Sequence, residues 1–328
     1  MIEENPYYEV DAVSNSSLKY INPEEGGHPR KYQSFKAGNE KISSLSLDRG
    51  KLLHKWVENR DSFEVSEVDA PHEEAIKWLN LVLSLEKEWS KDNLEELPSE
   101  TLESFILSTK EKITFHDNYK KKEAILALFH SFSGYYNFIK YPSNKIALTR
   151  ATRDILFNCY QSLYIHPIAN DLLFKESEGE TVLNEQAIYF EYLNVPCKAL
   201  LDRIIIDEAN KKIKIIDLKT TAKSVALYKD TFDYYHTYRQ LAFYKLAIMN
   251  LLSDLGYKYI SQYKITCHIV AVETFGSFIT QVYEVDQTYI TKGTQEIISL
   301  LSDIKWYNDR GNWEITKDEL LENNILSC

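Results

Sequence analysis

The stretch KKIKIIDLKTT (residues 211–221) decides how this chain is read. Ile213, Ile215 and Ile216, broken only by Lys214, make a β-branched apolar run that predicts a strand at least half buried. Side chains two apart on a strand share a face, so Asp217 and Lys219 project together while Leu218 points the other way. A carboxylate carried into such a strand needs a partner, because desolvating a charge is costly. Taken alone, Asp-x-Lys reads as an ion pair on a strand; its neighbours decide whether it is more.

Immediately upstream lie NEQAIYFEYL (184–193) and PCKALLDRIIIDE (196–208), short, rich in Ile, Tyr and Leu, and separated by the turns NVP and EANK. With 211–221 they predict an antiparallel meander. The second hairpin would bring Asp202 near Asp217, and two carboxylates held close repel unless a cation lies between them. Mg²⁺ or Mn²⁺ suits oxygen ligands of this kind. A lysine alongside could orient or deprotonate an attacking water, or stabilise charge building on a phosphate.

Further out, YHTYRQLAFYKLAIMNLL (235–252) predicts a helix with Gln240 and Tyr244 one turn apart on one face. SLSLDRGKLLHKWVE (44–58) predicts another, with Gly50 and His54 at the same spacing and the glycine allowing close approach beside the histidine. His236 adjoins the first of these helices and is a candidate DNA contact. KYISQYKITCHIVAVET (258–274) and FITQVYEVD (278–286) alternate like strands, and 287–305 reads as a closing helix. Residues 73–135 read as mostly helical and polar, 150–175 as a helix interrupted near Pro167, and 1–40 as irregular apart from a short helix at NSSLKYI. The order is a helical first half followed by β-β-β-α-β-β-α. It predicts an α/β (α+β) core over 180–305, with a helical insert over 60–150, inside one domain spanning 1–328.

The formal net charge of −11 weighs against a surface coated for DNA, since affinity for a polyanion comes from Lys and Arg neutralising phosphates. The acidity is uneven, concentrated for example between Glu86 and Glu103, so an acidic exterior with a basic channel would still admit DNA. Cys159, Cys197, Cys267 and Cys328 are scattered, which predicts free thiols rather than disulfides, a zinc site or an iron–sulfur cluster. The Lys120-Lys121-Lys122 run reads as a solvated helix end. No apolar run approaches the roughly 20 residues of a membrane span. The acidic N-terminus lacks a signal-like apolar segment, and a cytoplasmic location without membrane association is expected.

Taken in order, Gly50 and His54, Glu185, Asp202, Asp217-Leu218-Lys219, and Gln240 with Tyr244 resemble the PD-(D/E)XK nuclease superfamily, and more narrowly its RecB/RecE-like branch with the phage-derived exonuclease VIII type. NSSLKYI followed by HPRKY, and HPIANDLL ahead of the strands, are similar to that branch's opening and central segments, so the likeness covers roughly residues 14–54 and 160–250. The resemblance implies a restriction-endonuclease-like core, a central mixed sheet flanked by helices, with a helical N-terminal lobe or insert. It implies Mg²⁺ or Mn²⁺ held by His54, Asp202, Asp217 and the Leu218 carbonyl, and Lys219 acting on the water. Glu185 either reaches the metal or caps the sheet, and Gln240 and Tyr244 support the site or contact DNA. Where the family carries a glycine and a basic residue before the first aspartate, this chain has Val195-Pro196 and Leu200, so Lys198 and Arg203 are the nearest substrate contacts. The cysteines that some relatives use for an iron–sulfur cluster are missing, and that cofactor is not carried over. The implied activity is metal-dependent exonucleolytic hydrolysis of DNA in phage-type recombination or repair, with a single-strand annealing partner and a homo-oligomer. The alternatives are an endonuclease of the same superfamily and an inactive DNA-binding or assembly protein with the same fold.

Overall fold

A computed structural model describes residues 6–38, 45–65, 71–89, 99–110, 122–140, 146–257 and 259–321. Asp92, Glu95 and Glu96 of the acidic run, Lys120, Lys121 and Cys328 lie outside the described residues. Chain contacts divide the molecule into a unit formed mainly by Asn59–Phe157 and a second formed by the residues flanking it.

The first unit contains the helices α4 (Glu73–Trp89), α5 (Ser99–Lys110), α6 (Lys122–Ser131) and α7 (Ser133–Lys140), with two short strands, β1 (Phe63–Val65) and β2 (Ile146–Leu148), paired in parallel. Its apolar core is built on Trp78, Leu79, Ile106, Ile125 and Phe129. The buried Glu86 accepts a hydrogen bond from the Tyr136 hydroxyl and pairs with the Lys140 ammonium at 2.7 Å, which offsets the cost of its burial.

The second unit opens with α1 (Asn15–Leu18), α2 (Pro29–Lys36) and α3 (Leu45–Glu58), and resumes at Asn158 within α8 (Arg150–Ile165), followed by α9 (Pro167–Leu173). Then follow β3 (Glu180–Tyr192), β4 (Val195–Asp207), β5 (Lys212–Thr221), α10 (Tyr228–Tyr234), α11 (Thr237–Asp254), β6 (Lys264–Glu273), β7 (Thr280–Glu284), α12 (Gln287–Arg310) and α13 (Lys317–Leu321). The strands form one five-stranded sheet in the order β3-β4-β5-β6-β7, antiparallel except for the parallel β5–β6 pair. This is a mixed α/β fold with a mixed sheet flanked by helices, consistent with a restriction-endonuclease-like core.

Central β5 is covered on both faces. Ile213 and Ile215 join the main core with α11 and α12, while Ile216 and Leu218 are buried on the opposite side. The helix α12 lies tightly on α11 at Gly293, where an added Cβ would sit 2.7 Å from the Tyr238 carbonyl oxygen and 2.9 Å from the Ala242 Cβ. Residues 29–36, expected to be irregular, form α2, and several boundaries shift from the sequence expectation. The strand expected from residue 258 begins at Lys264, because Tyr259 is left-handed (φ 65°) and leads into a short 3-10 turn. The closing helix runs on to Arg310, where left-handed Gly311 ends it by donating to the Tyr307 carbonyl.

The alternation of β4 slips once, and the slip shapes the site. Val195, Cys197, Ala199 and Leu201 face the main core, then Ile204 and Ile206 do so, so the phase changes at Asp202–Arg203. On β3 the ladder skips the matching position: Asn184 pairs with Arg203 and Gln186 with Leu201, while Glu185 between them is left-handed (φ 44°). No residue is inserted, so Glu185 stays opposite Asp202. A non-glycine residue held there costs on the order of 1–3 kcal/mol, and such strain recurs where a chain must re-aim side chains.

Candidate metal centre

Asp202 sits where two ladders part. Toward β5 the last regular pair is Arg203 with Ile216, and the Leu218 N–H then donates to the Asp202 side chain (Oδ2) at 2.7 Å rather than to a strand. The helix α3 closes over this end of β5 at Gly50, whose hypothetical Cβ would lie 3.3 Å from the Thr220 hydroxyl. One turn on, His54 Nε2 is 2.8 Å from the Leu218 carbonyl oxygen. Its Nδ1 lies 3.4 Å from Asp202 and 3.6 Å from Glu185. One ligand atom from each of His54, Glu185 and Asp202 falls within a sphere of mutual distances no greater than 4.8 Å.

Asp217 and Lys219 stand beside this triad. Asp217 is fully buried, and Lys219 Nζ lies 3.0 Å from both its oxygens, making a good hydrogen bond only to Oδ1. Gln240 Nε2 donates to the same Oδ1 at 3.3 Å and to the Tyr244 hydroxyl at 2.6 Å, so α11 supports the carboxylate from the core side. Asp217 is not one of the three groups that converge, although it and Asp202 feel each other's charge across the Leu218 amide.

The electrostatics follow from this layout. Burial alone would depress the His54 imidazole, but Asp202 and Glu185 overcome it and hold it up at about 10. Burial would raise Asp202; the His54 charge and the Leu218 N–H outweigh it and keep the carboxyl below its ordinary range. Burial pushes Asp217 up, to about 6, against the pull of Lys219. Lys219 would be lowered by burial but is held up by Asp217 and Asp202, so its ammonium stays charged.

The donor set fits a divalent cation. Two carboxylates, an imidazole and a main-chain carbonyl are hard or borderline ligands of the kind Mg²⁺ and Mn²⁺ take. The Leu218 carbonyl stands at His54 Nε2 and the two carboxylates at Nδ1, so the two ring nitrogens face different members of this set.

The other expected contacts are engaged elsewhere. Lys198 donates to the Tyr7 and Val10 carbonyls at 2.8 and 2.7 Å, anchoring the N-terminal segment. Arg203 donates to Asn184 Oδ1 at 2.8 Å and to the Lys175 carbonyl at 3.0 Å. Both are buried, so the structure does not bring them to the acidic triad. Tyr244 is buried as well and meets Asp217 only through Gln240. His236, expected near DNA, is also buried, with Nδ1 3.0 Å from Glu296 and 2.9 Å from the Tyr238 hydroxyl. Sequence reasoning missed Tyr228, which lies buried at the start of α10, interacts with Lys219 and Asp217, and bonds Thr237. Nothing in the sequence pattern around LYKDTF marks it.

No curated protein matches the sequence significantly. Among solved structures, the chain is similar to one from Eubacterium rectale described as "Putative exonuclease", at 13% identity and a TM-score of 0.48, covering 100% of this chain and 95% of that one. Residues 156–307 match the model of the PD-(D/E)XK nuclease superfamily, and this stretch holds every residue of the centre except His54.

Proposed function

We propose that this protein is a divalent-metal-dependent deoxyribonuclease. The observation that carries the reading is the convergence of His54, Glu185 and Asp202 within 4.8 Å, beside the Leu218 carbonyl and next to the Asp217–Lys219 pair. His54, Asp202, Asp217 and the Leu218 carbonyl would hold Mg²⁺ or Mn²⁺, with Glu185 as a further ligand. Such an ion supplies Lewis acidity, lowering the pKa of water and offsetting phosphate charge. Lys219, flanked by carboxylates and charged, orients the attacking water and stabilises the negative charge that builds on the phosphate. Asp217 fixes the direction of that ammonium, and Gln240 with Tyr244 fixes Asp217.

Within that chemistry the reading is exonucleolytic, in phage-type recombination or repair, with a homo-oligomer and a single-strand annealing partner. It rests on the motif order along the chain and on the superfamily match. Linear duplex DNA incubated with Mg²⁺ is expected to be degraded, EDTA or Asp202→Ala to abolish degradation, and covalently closed circles to survive. A wild-type protein inert on linear DNA with either metal overturns the nuclease reading. Cleavage of the circle would replace exonuclease by endonuclease.

A further inference from the structure

The corner between α10 and α11 displays two aromatic rings to solvent. Tyr234 is 76% and Tyr235 63% exposed, and their centroids lie 4.9 Å apart with planes at 85°. Two helical turns before Tyr234, Leu227 is also exposed. The inward residues of the same segment, Tyr228 and Phe232, are buried, so the outward rings are not needed for the core.

The helix α11 leads from this corner to the candidate centre within its first turn or so. Tyr228 at the start of α10 interacts with Lys219 and Asp217 and bonds Thr237 in the first turn of α11. Gln240, one turn further along α11, donates to Asp217. Counted back from Gln240 at 1.5 Å per residue, Tyr235 stands about 7–8 Å away along the chain. Stacked bases recur about every 3.4 Å along a strand, so that span is roughly two to three nucleotides. The charges around the corner nearly cancel: Lys292 lies 3.7 Å from Asp233 and 4.2 Å from the Tyr238 ring centroid, and Lys229 is followed by Asp230. A polyanion would gain little there from charge, whereas an unpaired base would gain from stacking, which tolerates any sequence.

We propose that Tyr234 and Tyr235 form a stacking platform for unpaired bases of a DNA strand, two to three nucleotides from the phosphate at the Asp202–Lys219 centre. This rests on the nuclease reading and adds the recognition of a single-stranded end to it. The test uses the full chain with Ca²⁺ in place of Mg²⁺ and short single-stranded oligonucleotides carrying 2-aminopurine at successive positions from each end. Wild type is expected to change the probe's fluorescence at positions two to three from one end. Tyr234→Ala with Tyr235→Ala is expected to abolish that signal and weaken binding at least about fivefold, with the dependence on salt unchanged. Tyr234→Phe with Tyr235→Phe, which keeps the rings, is expected to behave as wild type. Because both side chains are exposed, the alanine variant should melt at the wild-type temperature.

An alanine variant that binds as tightly as wild type overturns the platform, as does a phenylalanine variant that fails equally or a loss accompanied by a shallower salt dependence. If wild type degrades DNA while these results go against the platform, the platform alone falls. If wild type neither binds nor degrades DNA with any metal, the nuclease reading falls and the platform with it.

Discussion

Two clusters in the second unit have nearly the same composition and opposite electrostatics. Glu25, His236 and Glu296 converge within 4.8 Å, as do His54, Glu185 and Asp202. The first has its cation built in: Arg239, only 2% exposed, places one guanidinium nitrogen 2.5 Å from Glu25 and 2.6 Å from Glu296. Asn22 donates to both carboxylates, and Asn15 accepts from the Arg239 Nε. Little capacity is left for a ligand, and the cluster ties the segment 15–25 to α11 and α12. In the second cluster, among the described residues, only His54 comes within ion-pairing distance of Asp202 and Glu185, while Lys219 is turned to Asp217. A histidine and two acids do not by themselves make a metal site; what matters is whether the compensating charge is a fixed guanidinium, as at Arg239, or a proton on His54 that a metal can displace.

Substitutions that exchange the behaviour of the two clusters test the contrast. The largest effect is expected from Asp202→Ala or Lys219→Ala, which should lower cleavage on the order of a thousandfold with folding retained, measured by single-turnover degradation and a parallel thermal melt. Next, Arg239→Met strands two carboxylates without their cation and should cost about 3–5 kcal/mol of stability in urea unfolding. If Arg239→Met instead left stability intact while abolishing cleavage, the roles assigned to the two clusters would be wrong.

A smaller effect concerns pH. Burial would raise the Glu296 carboxyl, but Arg239 and His236 overcome this and hold it below its ordinary 4.5. A depressed carboxyl contributes stability above the ordinary value and loses it as pH falls through the lower folded value. Urea melts should therefore show wild type losing stability below about pH 4.5, and Glu296→Gln should flatten that part of the profile. The smallest effect is expected at Gly50→Ala. The new methyl meets the Thr220 hydroxyl at 3.3 Å, and a shift of α3 by a few tenths of an ångström should lower metal affinity more than stability, read by calorimetric titration with Mn²⁺.

Much of the sheet could be read from the chain because its signals are local. Alternation in 184–193, 196–208 and 211–221, punctuated by turn residues, gives three strands whose observed bounds differ by only a few residues. Helical spacing likewise marks α3, α11 and the body of α12. The pairing of Asp217 with Lys219, and of Gln240 with Tyr244, followed from periods of two and of one helical turn. What did not follow is non-local. The left-handed Glu185 and the phase slip at Asp202 leave no mark in the amino-acid pattern, because they arise from one strand accommodating two neighbours. Lys198 and Arg203 read as the nearest substrate contacts, yet carbonyls of other segments accept hydrogen bonds from both. The Arg239 network joins residues from three elements far apart in sequence, and no spacing rule connects them.

The most direct test is a crystal soaked in Mn²⁺ with data collected at the manganese absorption edge. The account predicts an anomalous peak about 2.0–2.3 Å from ligand atoms of His54, Asp202 and the Leu218 carbonyl, and none at Glu25, His236 and Glu296. A peak at the Arg239 cluster, or none beside Asp202, would contradict it.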